Sequence, residues 1–132
     1  MERVDFEELG YDTEKYLDTF GGEPFTGIAY ETHPDGSLAS ETAFTDGLKD
    51  GRSVEWYASG QIKEEYFMRQ GSGHGLLREW FENGSLKREK MREYGIAVWD
   101  RTYDEEGNLV ESFVLPEDDV LYKILMRRRD RQ

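Results

Sequence analysis

Hydrophobic and polar positions along this chain repeat with a period of 24 residues. Short stretches of apolar and aromatic residues alternate with polar turns, and the glycines of these turns keep the same spacing. Three interleaved series show it: Gly27, Gly51 and Gly75; Gly36, Gly60 and Gly84; Gly47, Gly71 and Gly95. A fixed period of this length is the signature of a repeat array. Arrays of this kind usually bind other molecules rather than transform them.

The repeating unit is predicted to be a β-hairpin. The three best units span residues 27–50, 51–74 and 75–98, and a decayed fourth unit follows. Each unit has a polar tripeptide ending in glycine at its centre: Pro34-Asp35-Gly36, Ala58-Ser59-Gly60, Glu82-Asn83-Gly84 and Glu105-Glu106-Gly107. Glycine accepts the positive φ that a tight hairpin turn requires. The second group of glycines, at 47–51 and 71–75, is expected to turn the chain from one hairpin into the next.

The loop length sets the register of each hairpin. A three-residue loop closed by a left-handed glycine puts one apolar couple on the same face of every hairpin. The predicted couples are Thr32 with Leu38, Trp56 with Ile62, Trp80 with Leu86, and Tyr103 with Leu109. The opposite face would then hold favourable charge pairs: Glu55 beside Lys63 and Glu79 beside Lys87. A two-residue turn would instead couple Tyr57 with Ile62, but the Pro-Asp-Gly loop and the charges favour the longer loop.

These elements predict a single, mainly β domain over residues 1–132. Residues 27–115 would form an elongated antiparallel meander of hairpins in which each unit touches mainly its neighbours. Residues 1–26 are rich in apolar side chains and would cap the first repeat. Residues 116–132 begin with proline and acids and end with arginines, which suits the dipole of a C-terminal helix. The arginines at its end would balance that dipole and fray into water, rather than bind RNA or lipid.

Composition narrows the classes of partner. There is no cysteine, which excludes disulfides and thiolate metal sites. The net charge of −12 is uneven, because residues 1–50 hold thirteen acids and three bases, whereas residues 51–95 hold seven acids and eight bases. The first part should repel nucleic acid and anionic membranes and attract a basic protein. No apolar run could cross a bilayer and the start does not look like a secretory signal, so a cytoplasmic location is expected.

The units around Trp56 and Trp80 resemble a known repeat family. The stretches 55–63 and 79–87 share a Trp-aromatic core before the glycine, and they resemble the MORN-repeat variant of YwqK-like bacterial antitoxin proteins. Residues 22–30 look like the entry segment of that family, and the resemblance covers about residues 20–115. It implies a hairpin repeat protein that often protects against a toxin. The first unit departs from it, with Thr32-His33 in place of the aromatic pair, and so does the fourth, with Tyr103-Asp104.

Recognisable catalytic groups are missing from the sequence. His33 and His74 occupy loop positions of different repeats and read as polar turn residues rather than as a metal site or a general base. The glycines of 71–75 lack the ending and the helix of a phosphate-binding loop. Carboxylates recur in two columns: Glu31, Glu55 and Glu79, and Glu41, Glu65 and Glu89. Such ladders lie along a surface instead of facing each other across a substrate. We therefore predict no enzyme, no cofactor and no metal.

The candidate partner-binding residues are of two kinds. Unpaired acids would form a face for a basic partner: Glu31, Asp35, Glu41, Asp46 and Asp50. One member of each aromatic pair would be core and the other free for a partner: Trp56 or Tyr57, and Trp80 or Phe81. The preferred hypothesis is an immunity protein that neutralises a basic toxin domain, such as a nuclease, by stoichiometric binding. The alternatives are an adaptor or scaffold and a membrane-associated repeat module. The chain would be a monomer or a weak homo-oligomer.

Overall fold

The computed structural model describes residues 2–131, which form two sheets and a C-terminal helix. A 3-10 turn at Phe6–Glu8 follows the first strand. The remaining elements are β1 (Glu2–Asp5), β2 (Gly10–Asp12), β3 (Leu17–Phe20), β4 (Glu23–Pro24), β5 (Gly27–Thr32), β6 (Leu38–Thr45), β7 (Leu48–Trp56), β8 (Ile62–Arg69), β9 (Ser72–Gly73), β10 (Gly75–Trp80), β11 (Leu86–Glu93), β12 (Ile96–Tyr103), β13 (Leu109–Val114) and α1 (Val120–Asp130).

The large sheet is the predicted meander of hairpins. Its strand order is β1-β5-β6-β7-β8-β10-β11-β12-β13, and β9 pairs with β8 beside this path. From β5 onward the neighbouring strands are antiparallel and follow chain order, which confirms the predicted fold class. At the other edge β1 pairs with β5 in parallel, which the sequence did not indicate. The strands β2, β3 and β4 form a separate small sheet before the first repeat.

The central loops have the predicted three-residue geometry. Their glycines lie in the left-handed region, with φ of 88° at Gly36, 92° at Gly60 and 90° at Gly84. The backbone N–H of Gly60 donates to the carbonyl of Tyr57 at 2.9 Å, and the first and third loops repeat this bond. All four predicted couples are found in register: Thr32 with Leu38, Trp56 with Ile62, Trp80 with Leu86, and Tyr103 with Leu109.

The predicted charge pairs on the opposite face are wrong. Glu55 lies opposite Glu64, and not opposite Lys63, because a β-bulge between Glu55 and Trp56 shifts the register by one residue. Glu79 likewise lies opposite Arg88 instead of Lys87. The two displaced lysines lie over aromatic rings instead. The ammonium of Lys63 is 5.7 Å from the ring centre of Tyr57, and that of Lys87 is 5.6 Å from Phe81.

The turns that connect successive hairpins contain two residues, both with positive φ. At the first of them φ is 50° for Asp46 and 83° for Gly47, and Gln70-Gly71 and Tyr94-Gly95 repeat this conformation. Positive φ at both positions matches the right-handed twist of the strands that flank a tight hairpin. The predicted change of direction is therefore made at Gly47 and Gly71, whereas Gly51 lies inside β7.

The main apolar cluster lies at the N-terminal end of the large sheet. It contains Val4, Phe25, Ala29 and Phe44, with Phe6, Leu9 and Phe20 packed against it. The rings of Phe25 and Phe44 lie 5.6 Å apart between their centres. Residues before the first repeat thus supply much of this core.

The C-terminal helix α1 begins after Asp119, whose carboxylate accepts a hydrogen bond from the backbone N–H of Leu121 at 2.8 Å. Its side chain Leu125 is 1% exposed. The arginines of its last turn do not all extend into water, because Arg129 forms a bidentate ion pair with Glu93 and Arg128 lies over the ring of Tyr94. Across residues 2–131 no helix is both long enough and apolar enough to cross a membrane.

Candidate protein-binding surface

The five acids singled out from the sequence do not lie on one surface. Glu31 and Glu41 project from opposite faces of the sheet, as the strand pairing and the alternation of side chains require. Asp35 lies in the first central loop, where the backbone N–H and the hydroxyl of Ser37 donate to its carboxylate at 2.9 and 2.6 Å. These bonds lower the pKa of Asp35.

Asp46 and Asp50 lie at the far end of the sheet from Asp35, with the length of β6 between them. The backbone N–H of Asp46 donates to the hydroxyl of Thr26 at 2.8 Å. The carboxylate of Asp50 accepts a hydrogen bond from the backbone N–H of Gln70 at 3.3 Å. The Asp50 carboxylate thus bonds to the second connecting turn, Asp46 lies in the first one, and neither acid adjoins Glu31 or Glu41.

One of the two predicted carboxylate columns is neutralised by arginines. Glu41 forms an ion pair with Arg3, so it is not the unpaired acid that the sequence suggested. The equivalent residues Glu65 and Glu89 pair with Arg52 at 2.6 Å and with Arg78 at 2.9 Å. All of these side chains project from the same face of the sheet, which we call the paired face. Its carboxylates are therefore already compensated within the chain.

The opposite face holds a row of carboxylates on adjacent strands. Strand pairing places Glu31 opposite Ser40, Ser40 opposite Glu55, Glu55 opposite Glu64, and Glu64 opposite Glu79. We call Glu31, Glu55, Glu64 and Glu79 the glutamate row. Like charges that face each other directly across strands destabilise the sheet by about 0.2–1 kcal/mol per pair. Three consecutive strands, β7, β8 and β10, thus present adjacent negative charges on this face.

Glu64 is the centre of the glutamate row. Burial raises the pKa of its carboxyl above the ordinary value, and the neighbouring carboxylates of Glu79 and Glu55 raise it further, while Lys63 lowers it. Neither Glu55 nor Glu64 forms an ion pair with any basic side chain of residues 2–131. At the first position of the row, Glu31 accepts a hydrogen bond from the hydroxyl of Ser40 at 2.9 Å. The row is therefore under-compensated in the free chain.

Arg88 flanks the glutamate row but is occupied elsewhere. It lies 4.0 Å from Glu79, whereas it makes two hydrogen bonds of 2.9 and 2.6 Å to the carboxylate of Asp100. The bonds from Arg88 lower the pKa of Asp100. A bidentate bond to one carboxylate is stronger than a single contact at the edge of ion-pair distance. Arg88 thus neutralises Asp100 more than it neutralises the row.

The four aromatic side chains of the predicted site are all half-buried. Trp56 and Trp80 project from the paired face, each opposite an apolar residue of its hairpin. Tyr57 links two units, because its hydroxyl donates to the backbone carbonyl of Trp80 at 2.7 Å. His33, one unit earlier, makes the equivalent bond between its Nε2 and the carbonyl of Trp56 at 2.9 Å. Phe81 has no hydroxyl and lies under Lys87. Tyr57 and His33 therefore each join their own repeat to the next one.

Two of the cavities on the described surface are relevant here. One of about 40 Å³ is lined by Tyr57, Lys63, Glu64, Glu79, Trp80 and Lys87, and it adjoins the glutamate row. It has room for roughly one water molecule. The other, of about 190 Å³, lies beside α1. Within residues 2–131 no three His, Asp or Glu side chains are placed to hold a metal ion together.

The open edge of the sheet is apolar. All six residues of β13 are exposed, and they include Val110 at 65% and Val114 at 71%. None of the described strands pairs with the outer edge of β13. An exposed apolar edge strand is a template for pairing with another chain. It is a second candidate surface.

The comparisons with known proteins agree with the repeat reading. A family model described as MORN repeat variant matches residues 49–70 and 73–92. The chain is 48% identical to the immunity protein YwqK of Bacillus subtilis (strain 168) over 132 aligned positions, which cover 96% of this chain and 86% of that protein. No solved structure matches the chain.

Proposed function

The chain belongs to the family of the immunity protein YwqK, and on that premise we propose that it is an immunity protein that neutralises a toxin by direct, stoichiometric binding. A family resemblance and an array of MORN repeats support a binding role rather than a catalytic one. The toxin would be a basic domain, such as a nuclease, and the contact surface would be the glutamate row. The complex would form in the cytoplasm.

The observation that carries this proposal is the contrast between the two faces of the sheet. On the paired face, Glu65 and Glu89 have arginine partners at 2.6 and 2.9 Å. On the other face, Glu55, Glu64 and Glu79 lie side by side, and no base of residues 2–131 lies closer than the 4.0 Å between Glu79 and Arg88. Repulsion between these carboxylates destabilises the free chain, and a basic partner would relieve it by supplying positive charges. Relief of the repulsion would therefore add to the free energy of binding.

Blocking by such a surface needs no chemistry from this chain. A toxin that acts on nucleic acid needs a basic groove for the phosphates. The carboxylates of the glutamate row stand on strands about 4.8 Å apart, so that several can meet arginines or lysines of one groove. The net charge of −12 would in addition speed the encounter with a basic partner. The groove would then be closed to its substrate.

The test begins with co-expression of the toxin candidate encoded next to this gene. The chain should restore growth, and calorimetry should give a 1:1 complex whose affinity falls as salt rises. Glu55→Gln and Glu64→Gln should each weaken binding about fivefold to tenfold, the loss expected for one interfacial charge pair of about 1 kcal/mol or more. Glu65→Gln, one residue further along β8 and on the paired face, is the matched control.

Two results would contradict the proposal. If the chain neither binds nor neutralises any neighbouring gene product, the immunity role is wrong. If it binds but Glu64→Gln and Glu65→Gln behave alike, the glutamate row is not the contact surface.

The exposed apolar strand β13 favours a second candidate function, an adaptor that binds a partner strand along this edge. Such binding would depend little on salt and would be unaffected by Glu64→Gln. A charged residue placed in β13, such as Val110→Lys, would abolish it.

A further inference from the structure

The larger cavity lies between the second and third connecting turns and the helix α1. Its volume is about 190 Å³, and its walls come from three parts of the chain: Arg69, Gln70, Ser72, His74, Tyr94 and Arg128. The site thus combines two successive repeats with the C-terminal helix. Its lining includes two arginines and a histidine and, among the described residues, no carboxylate.

Within residues 2–131 the arginines at this cavity, Arg69 and Arg128, have no carboxylate partner. Arg128 lies over the ring of Tyr94, with its guanidinium carbon 5.8 Å from the ring centre. The nearby acid Glu93 is already bound by both arms of Arg129. Two guanidinium groups without an ion pair to the described residues therefore lie beside one cavity.

A third arginine lies behind the wall of the cavity. The side chain of Arg92 packs against Gly73, where an added Cβ would come within 2.4 Å of the guanidinium carbon. Its neighbours Ser72 and His74 line the cavity. The Nε of Arg92 is buried, and within the described residues it has no hydrogen-bond partner. This charge adds to the positive potential of the site.

His74 contributes a neutral hydrogen-bond donor. The backbone N–H of Tyr94 donates to Nδ1 of His74 at 3.1 Å, so that the neutral ring carries its proton on Nε2. Burial lowers the pKa of His74, the charge of Arg69 lowers it further, and Glu93 opposes them. Asp50 is engaged nearby with the backbone N–H of Gln70. The cavity therefore presents donors of both kinds, charged guanidinium groups and a neutral imidazole N–H.

We propose that this cavity is a binding site for a single oxyanion group, either a tetrahedral phosphate or sulfate or a planar carboxylate. Guanidinium forks suit both groups because they present parallel N–H donors to two oxygens. The volume of about 190 Å³ is smaller than the 300 Å³ or so at which drug-sized ligand pockets begin. The group would be a free anion or the charged end of a larger molecule. This site is independent of the proposed toxin contact.

The test is a titration of the full chain at constant ionic strength, monitored by NMR. One arm uses sodium sulfate and the other uses sodium acetate. Sodium chloride serves as the reference salt. The His74 ring and the amides of Gln70, Ser72 and Tyr94 should shift and saturate in at least one arm. Saturation with sulfate alone identifies a tetrahedral anion, and saturation with acetate alone identifies a carboxylate.

Variants decide whether the arginines form the site. Arg128→Gln should raise the dissociation constant of the anion about tenfold, as expected when one charge-assisted hydrogen bond is lost. Arg69→Gln should raise it similarly, and this variant leaves the helix unchanged. Arg101→Gln is the matched control, because Arg101 also lies over an aromatic ring, 4.8 Å from the centre of Trp99, and does not line this cavity. The proposal is overturned if no anion gives saturable shifts, or if Arg128→Gln and Arg101→Gln have equal effects.

Discussion

Replacement of Glu64 by glutamine should stabilise the free chain at neutral pH. Within the glutamate row, Glu64 faces a carboxylate on both sides, Glu55 on β7 and Glu79 on β10. Glutamine has nearly the same shape but no charge, so that it removes two repulsions and leaves the packing unchanged. The same substitution should weaken the proposed toxin contact. Stability and binding would therefore change in opposite directions, as is common where a functional surface is strained.

The size of the effect follows from the geometry of the sheet. Residues that face each other across strands have Cβ atoms about 4.5–5.5 Å apart. Two unit charges about 5 Å apart interact with about 0.8 kcal/mol in water, and Glu64 has two such neighbours. Partial neutralisation by Lys63 and screening at this half-exposed position reduce the sum. We expect Glu64→Gln to raise the free energy of unfolding by about 1 kcal/mol.

The effect must depend on pH with a defined sign. The pKa of Glu64 is raised in the folded chain, so that folding takes up protons between the ordinary value of 4.5 and the folded value. The wild-type chain is free of this repulsion below 4.5 and acquires it as pH rises through the folded pKa. The advantage of the glutamine variant should therefore be largest near neutral pH and should disappear below 4.5.

Urea unfolding followed by tryptophan fluorescence over this pH range measures the difference. Glu65→Gln is the control on the same strand, because it removes the ion pair with Arg52 and should be neutral or destabilising by up to about 1 kcal/mol. A Glu64→Gln variant that is no more stable than wild type at neutral pH, or whose advantage does not change with pH, would refute the account of the row.

Three further outcomes are expected. Gly60→Ala should lower the free energy of unfolding by about 1–2 kcal/mol, because φ is 92° there and alanine disfavours this left-handed conformation. No described atom lies within 4 Å of the added Cβ, so backbone strain alone sets this cost. Gly60→Asn should cost less in the same unfolding assay, because asparagine tolerates positive φ better. Tyr57→Phe should cost about 0.5–1.5 kcal/mol through the lost bond to the carbonyl of Trp80, and a change in melting temperature would show it. Val110→Lys should leave stability within about 0.5 kcal/mol, and light scattering should show less self-association at high concentration if β13 pairs between copies.

The hairpins could be predicted from sequence because their rules are local. A glycine with positive φ at a fixed place in each unit determines the loop, and the loop determines which residues face each other. The predicted couple of Trp56 with Ile62 is therefore confirmed. The parallel pairing of β1 with β5 joins distant segments, and no local pattern in residues 2–5 marks it.

The glutamate row escaped prediction for a physical reason. Each bulge inserts one residue after the aromatic couple, so that Glu64 takes the place that a regular ladder would give to Lys63. Glu64 is also absent from the repeat columns, since Ser40 and Arg88 occupy the equivalent positions in the adjacent units. A register that includes the bulge would have found the row. The contact of Arg128 and Arg129 with the third connecting turn depends on the path of the chain after Leu115, which the sequence does not specify.

The bonds that His33 and Tyr57 make to the next unit have an evolutionary consequence. Each of them spans 23 residues and reaches only the adjacent hairpin. A duplication or deletion of one whole unit in the gene would therefore leave every surviving bond with its proper acceptor. Descendants of this chain can gain or lose hairpins in single genetic events, and the length of the surface offered to a partner can change faster than its individual residues do.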